Sequence, residues 1–282
     1  MTQENLTAIE KYYDKFDEEH RLKTRHGLVE FNTTMHYVIK YAEKLTLNYD
    51  ISDEKKVDIA DKNNSDKIKI LDIGAGTGRY SVALLDKGFD VTAVEPVKKN
   101  LDILRKKGTM VKTWQGNALD LNFLPEKKYD ITLMLGPLYH LISDEEKLTA
   151  FEQAKRVTKD GGYIFAGYVM NDYAVIKYCF EKDKVSECLE KGSLTSNFVT
   201  VADSKELYDY VTLSKIDELK NRSNLTRDTI FASDGPADYM RRELNAMSEE
   251  KFALFQNYVL AISERPELLG ASSHVVDVLQ VN

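Results

Sequence analysis

Apolar residues along the chain follow two periods, and the change from one to the other sets the organisation. Over 28–45, Leu28, Phe31, Met35, Val38, Ile39, Ala42 and Leu45 recur every three or four positions. That spacing puts one apolar stripe on a helix, which predicts an amphipathic helix packed on a larger body. A shorter helix is predicted over 4–16, followed by a charged turn through Asp17, Glu18, Glu19, His20 and Arg21. Residues 52–67, SDEKKVDIADKNNSDK, are charged and polar without a sustained period and predict an exposed connection.

From residue 68, short apolar runs alternate with helical segments. IKILDIG (68–74), VTAVEP (91–96), MVKTWQG (110–116), YDITLMLG (129–136) and GGYIFAGYV (161–169) read as strands. Helices are predicted between them, about 78–87, 97–107 and 143–158. Gly88 and Gly108 supply helix stops, and Ser143 with Glu146 has capping-box spacing. This alternation implies parallel strands joined by right-handed crossovers, an α/β doubly wound, Rossmann-like sheet. Beyond 169 the pattern loosens. A helical stretch is predicted over 170–192, two short strands within 196–213, and a helix over 214–223. A strand over 226–233, helices over 236–246 and 248–264, and a last strand over 274–281 complete the chain.

The organisation expected is an N-terminal helical cap over 1–50, an exposed connection over 51–67 and a ligand-binding core over 68–169. A lid or substrate segment follows over 170–225, and 226–282 returns to the core sheet with a helical insertion. The lid expectation rests on the aromatics Tyr173, Tyr178, Phe180, Phe198, Tyr208 and Tyr210, which follow the fifth strand.

Composition narrows the function classes. The chain has 282 residues, 43% of them hydrophobic and 30% charged, as in an ordinary globular protein. Lys and Arg number 39 against 46 Asp and Glu, and the net charge of -7 argues against a nucleic-acid substrate. No apolar run approaches the roughly 18 residues that predict a membrane span. The polar, acidic start MTQENLTAIEKYYDKF predicts neither a signal peptide nor a transit peptide. Cys179 and Cys188 have no metal-ligand spacing, and a reducing cytoplasm is the expected location. The five histidines show no metal-ligand spacing either, so no metal site is expected.

The most informative segment is ILDIGAGTGRYS at 70–81. Gly74, Gly76 and Gly78 lie between a buried strand and a helix, where glycine allows a tight turn and close backbone approach to a ligand. Glu95 ends the next strand about 19 positions after Gly76, close to the roughly 20-residue spacing of a carboxylate that binds ribose hydroxyls.

Asp72, the GAGTG loop, Glu95 in VEP, GNALDL at 116–121 and LGPLYHL at 135–141 together resemble the ordered motifs of class I S-adenosylmethionine-dependent methyltransferases. The resemblance is to the group that methylates small molecules (methyltransferase types 11 and 25) and spans 68–169 well, the flanks only loosely. It implies a seven-stranded sheet whose last strand is antiparallel, with S-adenosylmethionine as cofactor. Gly74, Ala75 and Gly76 would lie against the methionine part of the cofactor, with Asp72 near its amino group. Glu95, with Pro96 beside it, would hold the ribose. Asn117 and Ala118 would meet the adenine, and Leu135 and Gly136 the region of the sulfonium. Many relatives carry Asp where this chain has Asn117, whose carbonyl oxygen can still accept from an amine.

Methyl transfer from a sulfonium needs alignment more than acid or base groups. His140 and Tyr139, after the fourth strand, are the candidate catalytic residues and also candidates for acceptor binding; His140 is alternatively a loop-packing residue. Tyr13, on the first helix, is a candidate to face the sulfonium. Arg21 and Arg25, with His20 and His26, form a polar cluster that either reads an acceptor or is a solvated turn. The acceptor expected is a small molecule or a peptide, with no nucleic acid and no membrane.

Two rival readings accompany this one. A nicotinamide-dependent oxidoreductase would need glycine at position 79, where this chain has Arg79. A methyltransferase-like binding module without turnover stays open, because no single residue is obligatory for the chemistry.

Overall fold

The structure, a computed structural model, describes residues 9, 11–13, 19, 24–50, 67–203 and 206–282. The predicted stripe becomes the long helix α1 (Arg25–Asp50). Phe31, Met35, Val38, Ala42 and Leu45 are buried as the period requires, and Val29, Tyr37 and Tyr41 widen the buried face. Of the helix expected over 4–16, Ile9 and residues 11–13 are described and are helical. His20, Arg21 and the connection at 51–66 lie outside the described residues.

The core runs β1 (Lys69–Ile73), α2 (Arg79–Asp86), β2 (Asp90–Glu95), α3 (Lys98–Lys106), β3 (Lys112–Gln115), β4 (Tyr129–Met134), α4 (Asp144–Val157) and β5 (Thr158–Met170). The Ser143 hydroxyl accepts the Glu146 N–H at 3.2 Å and caps α4. Next comes α5 (Asn171–Ala174), continued as a π-helical turn through Phe180, then α6 (Val185–Glu190), β6 (Tyr210–Val211) and α7 (Leu213–Ser223). The chain ends through β7 (Thr226–Ala232), α8 (Arg241–Ala246), α9 (Glu249–Ile262), α10 (Pro266–Leu269) and β8 (His274–Gln280).

The strand order is β3-β2-β1-β4-β5-β8-β7, with β6 paired to β5. Strands β1 to β5 pair in parallel, and β8 lies antiparallel between β5 and β7. The strands predicted over 68–169, 226–233 and 274–281 all appear, and the two-residue β6 makes eight. Two expectations need correction. Only one of the two strands expected within 196–213 forms, and the helical stretch at 170–192 breaks into α5 with its π turn and α6, with Asp183 at φ 54 between them. The third strand is shorter than 110–116 because it is a sheet edge, where Met110 is 84% exposed and no second neighbour rewards extension.

Alternate residues of each central strand face opposite layers. Ile70, Val91, Leu133, Phe165 and Val278 pack with α1, Tyr80 and Leu84 of α2, and Leu104 of α3. Leu71, Val94, Met134, Ile164 and Leu279 pack with Ala150, Phe151 and Ala154 of α4 and Ile216 and Leu219 of α7. A partly buried pair joins β7 to β8: the Arg227 guanidinium donates twice to the buried Asp277, each contact at 2.7 Å. The chain leaves β1 and β4 in opposite lateral directions, and that reversal opens a crevice at their carboxyl ends.

Candidate active site

Every described residue expected to hold a cofactor lines one cleft at that crevice: Tyr13, Asp72, Gly74, Ala75, Gly76, Glu95, Pro96, Asn117, Ala118, Leu135 and Gly136. Tyr139 and His140 line it too. The loop after β1 turns through Gly74 (φ 73), Gly76 (φ 56) and Gly78 (φ 84), all in the left-handed region that favours glycine. Gly74 and Ala75 both donate to the Val94 carbonyl, at 2.8 and 3.1 Å, so the loop is tied to the end of β2.

Glu95 is 4% exposed and completes that tie. Its Oε2 accepts the Gly76 N–H at 2.8 Å, and its Oε1 accepts the Val97 N–H at 2.9 Å and the Asn100 side-chain amide at 3.4 Å. Asp72 is buried, and its Oδ2 accepts the Ser81 hydroxyl at 2.5 Å. Burial pushes its carboxyl up to about 6, against the hydrogen bonds from Ser81 that pull it down.

Asn117 uses its side-chain carbonyl to accept the Leu119 N–H at 2.9 Å, an Asx turn that shapes the loop after β3. Only the second lone pair of that oxygen is then left for an amine. His140 is 9% exposed and bonded through both nitrogens, Nδ1 to the Leu207 carbonyl at 2.8 Å and Nε2 to the Tyr13 hydroxyl at 3.1 Å. Burial lowers its pKa to about 4. Burial and the engagement of both ring nitrogens weigh against the expected general base at His140 and accord with the alternative expectation of a loop-packing residue.

A second cavity adjoins the first, with Tyr13 and Tyr139 lining both. Tyr173, Tyr178, Tyr208 and Tyr210 of the expected lid line it, whereas Phe180 and Phe198 sit against each other and are about half exposed. The segment expected as a lid is fastened to the loop after β4. The Asp209 N–H donates to the Tyr139 carbonyl at 2.8 Å, and the buried Lys147 ammonium donates to Asp209 at 2.7 Å and to the Leu141 carbonyl. Sequence reasoning missed Lys147, although its place on the apolar face of α4 with Ala150, Phe151 and Ala154 was the available signal. Asn100, Thr77, Arg79 and Val97 of the first cleft were missed as well.

Arg25, expected to read an acceptor, lines neither cavity. Its guanidinium donates to the Leu244 and Met247 carbonyls at 3.2 and 2.6 Å, pairs with Glu249 and stacks over Phe252. It fastens α1 to α8 and α9. His26, its neighbour, does reach the second cavity. His274, Asp234 and Glu30, where no metal was expected from histidine spacing, bring their donor atoms within 4.8 Å of one another.

Comparison with known proteins agrees with this architecture. Residues 70–162 match the methyltransferase domain family. An uncharacterized methyltransferase of Mycobacterium tuberculosis is 31% identical over 103 residues, 36% of this chain and 40% of that protein. The cypemycin N-terminal methyltransferase of a Streptomyces species is 34% identical over 99 residues, 34% of this chain and 40% of that protein. The match therefore spans 40% of the length of these curated relatives. A crystal structure of a SAM-dependent methyltransferase from Methanosarcina mazei shares the fold with a TM-score of 0.50, at 15% identity over 76% of this chain and 92% of that one. Residues 70–162 are thus similar to a methyltransferase domain, and apart from Ile9 and Tyr13 they supply all of the first cleft's described lining.

Proposed function

We propose that the protein transfers a methyl group from S-adenosylmethionine to a small-molecule acceptor by in-line displacement. The observation that carries this reading is the convergence of Asp72, the glycine loop, Glu95, Asn117 and Leu135–Gly136 on one cleft at the sheet's reversal point. The residues fit the group. Glu95 brings its carboxylate to the cleft for the ribose, and Asp72 supplies a carboxylate for the amino-acid ammonium. Pro96, Val97 and Ala118 give the adenine apolar walls.

The cofactor, when bound, supplies the activated methyl and its leaving group. The chain's residues hold position and exclude water. Tyr13 and Tyr139 stand where the two cavities meet, so an acceptor in the second faces the first between two rings. The Tyr13 ring face suits a sulfonium. His140 orients Tyr13 and does not accept the acceptor's proton. No helix among the described residues is long and apolar enough to cross a membrane. The free thiols of Cys179 and Cys188 accord with a reducing cytoplasm.

The test is a calorimetric titration of the full chain with S-adenosylmethionine, S-adenosylhomocysteine and NAD, followed by an acceptor screen. Binding of the first two without the third is expected. NAD binding alone, or no binding of any, would overturn the proposal; tight cofactor binding with no transfer to any acceptor would favour a binding module.

A further inference from the structure

The second cavity has a chemistry of its own. Its rings form a continuous series: Tyr12 meets Tyr208 edge-on at 6.0 Å, Tyr139 lies 5.7 Å from Tyr208, and Tyr208 lies 6.2 Å from Tyr210. Tyr178 then lies 6.1 Å from both Tyr210 and Tyr173. All of these rings line the cavity. An aromatic face carries a negative quadrupole and attracts a cation, more strongly where water is excluded.

The charged groups of the wall point the same way. Among the described residues, Glu30, Asp234 and Asp238 line the cavity, against the single guanidinium of Arg241. Arg241 is committed to Asp238, to which its Nε donates at 2.7 Å, and the Tyr173 hydroxyl donates to the same carboxylate. Asp234 is 4% exposed and held rigidly: its Oδ1 accepts the Ser272 hydroxyl at 2.5 Å and the His274 N–H at 3.0 Å, and its Oδ2 faces His274 Nδ1 at 2.9 Å. Glu30 Oε2 lies 3.8 Å from the same ring nitrogen. His26 is kept below its ordinary pKa by burial and then by Arg241, so it adds no positive charge at neutral pH. The described part of the chamber therefore carries carboxylates in excess beneath a ring wall, in a protein that is itself acidic.

We propose that this chamber is an amine site: the acceptor carries a protonated amine, held by the tyrosine faces and by the Glu30 and Asp234 carboxylates. This rests on the methyltransferase reading for the word acceptor, but not for the binding itself. An anionic ligand would meet the carboxylates, and a neutral one would gain less than a cation from both the carboxylates and the quadrupoles.

The experiment titrates the full chain, with and without S-adenosylhomocysteine, against three probes of similar shape: 2-phenylethylamine, 2-phenylethanol and 3-phenylpropionate. EDTA is present throughout, because the Glu30, Asp234 and His274 cluster would also suit a divalent cation. The amine is expected to bind at least about tenfold tighter than the alcohol, and the carboxylate not to bind. Glu30→Gln is expected to weaken the amine about fivefold or more and leave the alcohol unchanged. Tyr178→Leu, at a ring 41% exposed and so tolerant of change, is expected to weaken the amine as well. S-adenosylhomocysteine binding by each variant reports that the fold and the first cleft survive. Equal binding of amine and alcohol, preference for the carboxylate, binding of none, or discrimination that Glu30→Gln and Tyr178→Leu leave intact would overturn the amine site. Loss of S-adenosylhomocysteine binding in the unaltered chain, with amine discrimination retained, would overturn the methyltransferase reading alone.

Discussion

The Tyr13 hydroxyl donates to Nε2 of His140 at 3.1 Å, while Nδ1 of the same ring donates to the Leu207 carbonyl at 2.8 Å. A carbonyl only accepts, so the ring proton sits on Nδ1 and the lone pair of Nε2 receives Tyr13. One neutral imidazole thus joins the N-terminal helix, the loop after β4 and the lid. Its pKa, lowered to about 4 by burial, lies under the unfolded value of 6.5. Between those values the unfolded chain takes up a proton that the folded chain refuses, so stability falls as pH drops from 6.5 toward 4. From pH 6.5 to 5 the loss is on the order of 2 kcal/mol, and His140→Gln should remove it from urea melts at the two pH values. Nuclear magnetic resonance of the ring should show a midpoint near 4; a midpoint near 6.5 would restore His140 as a base.

Glu95 is a structural clasp as well as the expected ribose ligand, because its carboxylate accepts the Gly76 and Val97 N–H groups. Glu95→Ala leaves those donors without their acceptor, at about 1–3 kcal/mol for each that stays buried. It should therefore lower both the melting temperature and cofactor affinity. Glu95→Gln keeps an acceptor oxygen of the same reach and should retain most stability while still weakening cofactor binding. Calorimetric melting and titration on both variants separate the roles. Equal stability of Ala and wild type would show that the clasp carries no energy.

Two glycines of the loop should fail in different ways. A Cβ on Gly78 would stand 2.3 Å from Leu104 Cδ1, inside the packing of α2 on α3. Gly78→Val should thus destabilise the fold, by about 2–4 kcal/mol of clash and left-handed strain. A Cβ on Gly74 would meet the Pro137 ring at 3.0 Å, at the mouth of the cleft. Gly74→Val should impair cofactor binding more than melting. Denaturant midpoints and cofactor titration distinguish the two; the reverse ranking would mean the cleft lies elsewhere.

How far the sequence could be read depended on whether the signal was local. Strands β1, β2, β4 and β5 announced themselves because most of their residues are buried and glycine or proline lies beside or within each. The glycine loop and Glu95 were readable because the βαβ unit fixes their spacing. Arg25 was misread because its partners at Leu244, Met247 and Glu249 lie more than two hundred positions away, with nothing near Arg25 to announce them. His140 was legible as a residue after β4, but its burial depends on the segment around Leu207, which carries no periodic signal. Lys147 was hidden for the same reason, its partner Asp209 being 62 positions on. The two-residue β6 is too short to show a period at all.

Asp72 gives a pH dependence of the opposite sign to His140. Its folded pKa of about 6 lies above the unfolded 3.8, so the folded chain holds a proton that the unfolded chain has released between those values. Stability from this group is therefore greatest at low pH and is lost as pH rises from 3.8 through 6. Cofactor binding should run the other way, because the amino-acid ammonium seeks the ionised carboxylate. With a pKa near 6, about a tenth of the protein is ionised at pH 5, and apparent affinity should be about tenfold lower there than at pH 7. Asp72→Asn should flatten that profile and bind weakly throughout. The measurement is a calorimetric titration with S-adenosylhomocysteine from pH 5 to 8, repeated in buffers of different ionisation enthalpy to count protons released. An affinity that is flat with pH in the unaltered chain would remove Asp72 from the cofactor's ammonium and leave it as the anchor of Ser81 alone.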